Sequence, residues 1–398
     1  MKKLIIDGKR SLAHVEKIAW VKPIEGADNI ELIGVLGWTC IAKIGEFKEG
    51  DHCVYIEIDS KVPEKEWSEF LRSKKFKIKT MKLGKFKVIS QGIALPLDLF
   101  DVEIPEKDGT DVTELLEITY SNPKDIKRKA EGPNKYEEMA KRRKALFNKP
   151  WAKWLMKREW GKELMFYIFG NEKDGSKSFP KKFEYIHKTD QERCENMPDV
   201  LNDKTPFIRT QKCEGSSGTF ILEVRNNRLS KVEYEFYVCS RNLRVFEDEG
   251  DTDFWDVARK YDIENKLKDY LENHKDCEYV AWQGEVCGPN IQNNPHKLTE
   301  NHLFCFHMID SEKGMFDIRE AKKVWDEYDM ESVPIDEEEY ILPDDFEEFK
   351  QTADGYYDPE VCEGQSKCAR EGFVYYKTTN PNFSFKNVSR KYLLKIGE

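Results

Sequence analysis

At 398 residues, 39% of them hydrophobic and 12% aromatic, the chain is too long for a single core and too apolar for wholesale disorder, so two or three domains are expected. Its net charge of −10 argues against a nucleic-acid enzyme only until it is divided by segment: residues 310–350 hold 16 acids against 5 bases, which covers the whole excess. No uncharged apolar run approaches the ~18 residues of a membrane span, and the opening MKKLIIDGKR lacks a signal-peptide core, so a cytoplasmic protein with no membrane contact is expected.

Residues 1–118 read as short strands. LAHVEKIAWVKPI, IELIGVLGWTCIAKI, HCVYIEI and FKVISQGIALPL are rich in β-branched and aromatic residues, with turn formers between them. Their spacing predicts a small five-stranded barrel of the OB type. Within it, Arg72 to Lys87 holds eight basic residues and no acid. Lys77, Lys79, Lys82, Lys85 and Lys87 alternate with Phe76, Ile78, Met81, Leu83, Phe86 and Val88, so a strand pair could present the lysines on one face. That is the footprint of a protein meeting a phosphate backbone, and by charge spacing alone it also fits a solvated hairpin face.

Residues 119–165 turn basic, with Trp151, Trp154 and Leu155 at roughly helical spacing, and predict a helical connector. Residues 166–398 mix strands at TFILEV, EYEFYVCS, YVAWQGEV, HLFCFHMI and GFVYYK with helices near 252–273 and 318–330, an α+β domain. The acidic stretch near 310–365 is expected as a solvated insertion. Ten cysteines without CxxC pairing read as reduced thiols. The seven histidines show no zinc-hydrolase spacing, and no GxxxxGK[ST] loop is present.

The sharpest chemical feature is Lys212-Cys213-Glu214-Gly215 between two apolar runs. A lysine at a strand end facing a pocket can act as a nucleophile, and Gly215 permits close approach of a ligand. Alone, the four residues equally describe a surface turn. They do not stand alone. Ser240-Arg241-Asn242, WQGEVCGPNIQ with Glu285, FCFHMID with Phe306, EGFVYYK with Glu371 and SFKNVSRKYLLK with Lys386 follow in order.

This ordered set resembles the covalent nucleotidyltransferase superfamily of DNA ligases, RNA ligases and capping enzymes. HKTDQERCEN at 187–196 is similar to a run found in RNA ligases, and an OB module ahead of the transferase domain resembles the class that seals nicks. The resemblance implies antiparallel sheets flanked by helices, and an ATP-dependent RNA ligase joining 3'-OH and 5'-phosphate ends through lysyl-AMP and RNA-adenylate. It implies Lys212, Glu285, Glu371 and Lys386 as catalytic residues. ATP or AMP would meet Lys212, Glu214, Gly215, Arg241, Glu285, Phe306, Glu371 and Lys386. Mg²⁺ or Mn²⁺ would sit at Glu285 and Glu371 through water, which suits a cation that keeps much of its hydration.

RNA would contact Arg241, Asn242 and the lysines 77, 79, 82, 85 and 87, with nicked duplex as substrate and a monomer as the working form. From the residues alone, Arg241 also fits a strand-end salt bridge and Phe306 an ordinary core aromatic. Two positions depart from the pattern. Ser384 stands where many relatives carry a second lysine, and Ser217 stands where DNA ligases usually carry arginine. The alternatives are a DNA ligase, a capping guanylyltransferase, whose OB domain normally follows the last motif, and a non-catalytic RNA-binding protein.

Overall fold

The computed structural model of the chain describes residues 5–6, 9–121, 149, 152, 155, 157–158, 178–183, 185–186, 191–226, 232–247, 252–365 and 367–396. The basic connector and residues 187–190 of the HKTDQERCEN run lie almost wholly outside them.

The N-terminal unit is an OB-type barrel. Its strands are β1 (Ala13–Pro23), β2 (Ile30–Val35), β3 (Trp38–Lys43), β4 (His52–Ile56), β5 (Met81–Leu83), β6 (Val88–Ser90), β7 (Ile93–Pro96) and β8 (Thr110–Asp111). The main sheet runs β7-β4-β1-β2-β3, with β8 also on β1. β1 pairs with β4 through its first half and with β2 through its second, and the register shifts between Ile18 and Trp20. Such an irregularity bends a strand, which lets one long strand serve two walls of a barrel. Closure comes where the Gln91 amide donates to the Thr39 carbonyl at 2.8 Å. Alternation then buries Ile18, Ile33, Val35, Trp38, Cys40 and Tyr55.

The second unit is α+β. It holds β9 (Glu192–Arg193), β10 (Phe207–Lys212), β11 (Ser216–Asn226), β12 (Val232–Ser240), α1 (Asp253–Lys260), α2 (Ile263–Asn273), β13 (Tyr279–Cys287), β14 (His302–Asp310) and β15 (Gly314–Met315). Then come α3 (Ile318–Glu327), β16 (Ile335–Tyr340), α4 (Phe346–Thr352), β17 (Gly372–Lys377), β18 (Asn380–Val388) and α5 (Arg390–Ile396). One sheet runs β9-β18-β17-β10-β16 and the other β12-β11-β13-β14-β15, antiparallel except for the β9–β18 pair.

Helices α1, α2 and α3 pack on the second sheet over Phe220, Leu222, Val238, Trp282 and Met308. The acidic segment supplies part of this framework. Its carboxylates at 336–339 are exposed, whereas Ile318, Trp325, Met330, Val333, Leu342, Phe349 and Tyr357 enter the cores. β16 forms the edge of the sheet that carries Lys212.

The barrel docks on this unit. Val388 and Leu393 complete the barrel's own core cluster. The Trp38 indole donates to Asn196 Oδ1 at 2.5 Å, and Asn196 Nδ2 donates to Glu57 Oε1 at 2.7 Å.

Candidate active site

The site forms where the chain passes from one sheet to the other. β10 ends at Lys212, whose strand partner is Gly372, so Glu371 is held at the same end of the sheet. β11 begins at Ser216, and Ser217 pairs with Glu285 of the second sheet. The KCEG run therefore bridges two sheets, with the lysine on one and Glu285 on the other. Lys212 Nζ donates to Glu371 Oε2 at 2.8 Å, and the Gly215 amide donates to Glu285 Oε1 at 3.1 Å. A Cβ at Gly215 would lie 2.3 Å from the Val286 carbonyl oxygen, so no larger residue fits this crossing.

Charge and burial oppose each other here. Burial pulls the Lys212 pKa down, but the charges of Glu371 and then Glu285 outweigh it and raise it above the usual lysine range. Burial pushes Glu285 up to about 7 against the pull of Lys212, and Glu371 adds to the rise. The Lys212 side chain keeps 22% exposure and Glu371 15%, enough for a ligand to reach both.

Two residues that no motif indicated hold this arrangement. The Tyr357 hydroxyl donates to the Lys212 carbonyl at 2.9 Å and accepts the Glu371 amide at 3.2 Å. His296 Nε2 accepts the Glu214 amide at 3.1 Å, and His296 Nδ1 lies 3.1 Å from the Val361 carbonyl. That pair of partners requires the proton on Nδ1 of a neutral ring. Burial accordingly pushes the His296 pKa down to about 4. The two rings pack 4.3 Å apart.

The other predicted residues take these places. Lys386 pairs with Val374 and Ser384 with Tyr376, at even offsets from the Val388–Gly372 pair that adjoins Lys212. Both therefore share the Lys212 face of the sheet. Phe306 is buried at the register break of β13 and β14, where Gln283 pairs with His307 and Gly284 with Cys305. It is the extra residue of a bulge, a device that re-aims a side chain.

Arg241 and Asn242 follow the end of β12 and are exposed, and the Arg241 charge acts on Glu285. The lysine run lies on the barrel. Its strand pair is shorter than the alternation predicts, because Gly84 to Lys87 form the turn. Lys79, Lys82, Lys85 and Lys87 are exposed while Phe76 and Ile78 are buried.

Among the described residues no set of three His, Cys, Asp or Glu is arranged to hold a metal. Glu285 and Glu371 converge on Lys212, and a pair of carboxylates is the donor set that a hydrated divalent cation takes.

Comparison with known proteins decides the family. Residues 12–97 match the profile of an OB-fold domain and residues 205–393 that of RNA ligase. A search of curated proteins found no match. The RNA ligase of Naegleria gruberi, solved as a variant with ATP and Mn, is 27% identical with a TM-score of 0.71, over 97% of this chain and 98% of that one. The same ligase solved with PPi is 28% identical over 97% and 99%, TM-score 0.71. A third structure, with AMP and Mn, gives 27%, 97%, 99% and 0.71. Residues 205–393 belong to the RNA ligase family. The likeness spans both units, and the OB domain stands ahead of the ligase domain in this ligase.

Proposed function

We propose that this ligase joins RNA 3'-OH and 5'-phosphate ends at nicks, using ATP and Lys212 as the nucleophile. The observation that carries the reading is the placement of Lys212 Nζ 2.8 Å from Glu371, with Glu285 facing it from the second sheet. In the resting site the two carboxylates hold the lysine as an ammonium. Glu285 and Glu371 would hold a hydrated divalent cation, whose charge would offset theirs and favour the neutral form of Lys212.

The neutral amine then attacks the α-phosphorus of ATP. The N–P bond forms, the bond to pyrophosphate breaks, and the lysine proton leaves. Lys386, on the same sheet face, offsets charge developing on the phosphoryl oxygens, and Ser384 offers only a hydroxyl beside it. Phe306 and Glu214 serve the adenosine. AMP passes next to the RNA 5'-phosphate, and the neighbouring 3'-OH displaces it. Arg241, Asn242 and the barrel lysines hold backbone phosphates during that exchange.

Incubation with α-labelled ATP and Mg²⁺ or Mn²⁺ tests the reading. Label attaches covalently to the unaltered chain and not to Lys212→Ala; label on the alanine variant refutes the assignment. Nicked duplexes with RNA or DNA on the 3'-OH side then separate an RNA ligase from a DNA ligase. Labelled GTP in place of ATP separates both from a capping enzyme.

A further inference from the structure

The acidic segment and residues 293–301 are absorbed by no motif, yet each sends one buried ring to the nucleophile. Tyr357 and His296 are 4% and 1% exposed. They act on main chain. Tyr357 joins the Lys212 carbonyl on one side to the Glu371 amide on the other, so a single hydroxyl spans the nucleophile and the carboxylate that pairs with it. His296 fixes the Glu214 amide two residues further on, and its Nδ1 is tied to the Val361 carbonyl. The two rings, packed against each other at a tilt of 31°, thus hold both flanks of the KCEG crossing from a common support.

We propose that Tyr357 and His296 are positioning residues for lysine adenylylation, fixing the Lys212, Glu214 and Glu371 main chain so that the amine meets the α-phosphorus in line. This rests on Lys212 being the nucleophile. The physical argument is geometric: an in-line attack tolerates little displacement, and the strand pair by itself leaves Glu371 one residue beyond its last partner. The hydroxyl ties the Glu371 amide to the Lys212 side of that gap, while the Ser389 amide donates to the Glu371 carbonyl at 2.8 Å on the other.

The test is the single-turnover rate of lysyl-AMP formation in the full chain, measured across ATP concentration together with thermal unfolding. Tyr357→Phe keeps the ring and the packing and removes only the hydroxyl. At saturating ATP its rate is expected to fall by about tenfold, with the half-saturating ATP concentration unchanged. His296→Gln retains an amide oxygen able to accept the Glu214 N–H, and is expected to keep more of the rate than His296→Leu, which cannot.

A Tyr357→Phe rate equal to that of the unaltered chain overturns the proposal. So does a loss that appears only as weaker ATP binding, or His296→Gln and His296→Leu falling equally. No lysyl-AMP in the unaltered chain refutes the nucleophile assignment, and the positioning role falls with it.

Discussion

Glu285 carries a cost of burial. A carboxyl whose folded pKa is raised from 4.5 to about 7 binds its proton more tightly in the fold than in the unfolded chain. Folding stability therefore falls as pH rises from 4.5 through 7, and above 7 the full penalty is present. Glu285→Gln removes the charge while its amide oxygen still accepts the Gly215 N–H. In chelator at pH 8 this variant is expected to be more stable than the unaltered chain by on the order of 2–3 kcal/mol, with the difference vanishing near pH 4.5. Thermal unfolding at the two pH values measures it. Equal stability at pH 8 would show that burial does not strain this carboxylate. Loss of adenylylation in the same variant is the expected companion, since active sites commonly retain such unfavourable charges.

Lys212, Glu285 and Glu371 stood out in the sequence through ordered motifs, and the fold brings the three together. Tyr357 and His296 did not. They bond to main-chain atoms, which every residue possesses, so nothing in the partner sequence marks the contact.

At the scale of elements, hydrophobic periodicity located the helices but not their breaks. The expected helix over 252–273 is two, because Asp262 adopts φ 50°, ψ 42°, a left-handed conformation that ends one helix and starts the next. The pattern ran through because Val257, Ala258, Ile263, Leu267 and Leu271 enter one core from both helices. The helix expected over 318–330 stops at Glu327, and the Met330 amide returns to the Trp325 carbonyl at 2.9 Å.

The acidic excess has a physical use that charge counting did not reveal. β16 (sequence IDEEEY) is an edge strand, with Asp336, Glu337, Glu338 and Glu339 exposed. Exposed charge on an edge discourages pairing with another chain. Arg209 anchors the strand inward through Asp336, which it contacts at 2.8 Å, and Glu337 at 3.2 Å. Replacing Glu338 and Glu339 together by threonine leaves that anchor intact. The double variant is expected to unfold within about 0.5 kcal/mol of the unaltered chain, yet to self-associate as concentration rises. Light scattering across a concentration series decides it, and a monodisperse solution at every concentration removes this role for the acids.

At the scale of the molecule, the two units meet through a polar seam, beside the apolar contact of Val388 and Leu393, that only the folded chain brings together. Asn196, from the HKTDQERCEN run, serves the barrel: it takes the Trp38 indole N–H and donates to Glu57. Gly37 lies against Glu195, its amide donating to the Glu195 carbonyl at 2.7 Å, and Lys350 and Glu195 form a buried pair at 2.6 Å behind it. Arg390 adds a bond to Gln91 at 3.1 Å. Burial lowers the pKa of His14, but Glu16 and Glu57 outweigh it and raise it to about 9. That contribution is complete below pH 6.5 and is lost as pH rises through 9, so the barrel wall beside the seam weakens on the alkaline side.

On the proposed mechanism, lysine adenylylation would draw on the ligase domain alone, whereas sealing would need RNA held by both units. Asn196→Ala leaves the Trp38 N–H without its acceptor and Glu57 without the amide donor, a cost of about 2–4 kcal/mol for two buried bonds. At pH 7 it is expected to loosen the barrel from the ligase domain, so that a separate early unfolding transition appears. Lysyl-AMP should still form at nearly the normal rate, while sealing of a nicked RNA duplex falls. If adenylylation instead drops in step with sealing, the seam supports the active site itself, and the division of labour between the two units is not as drawn.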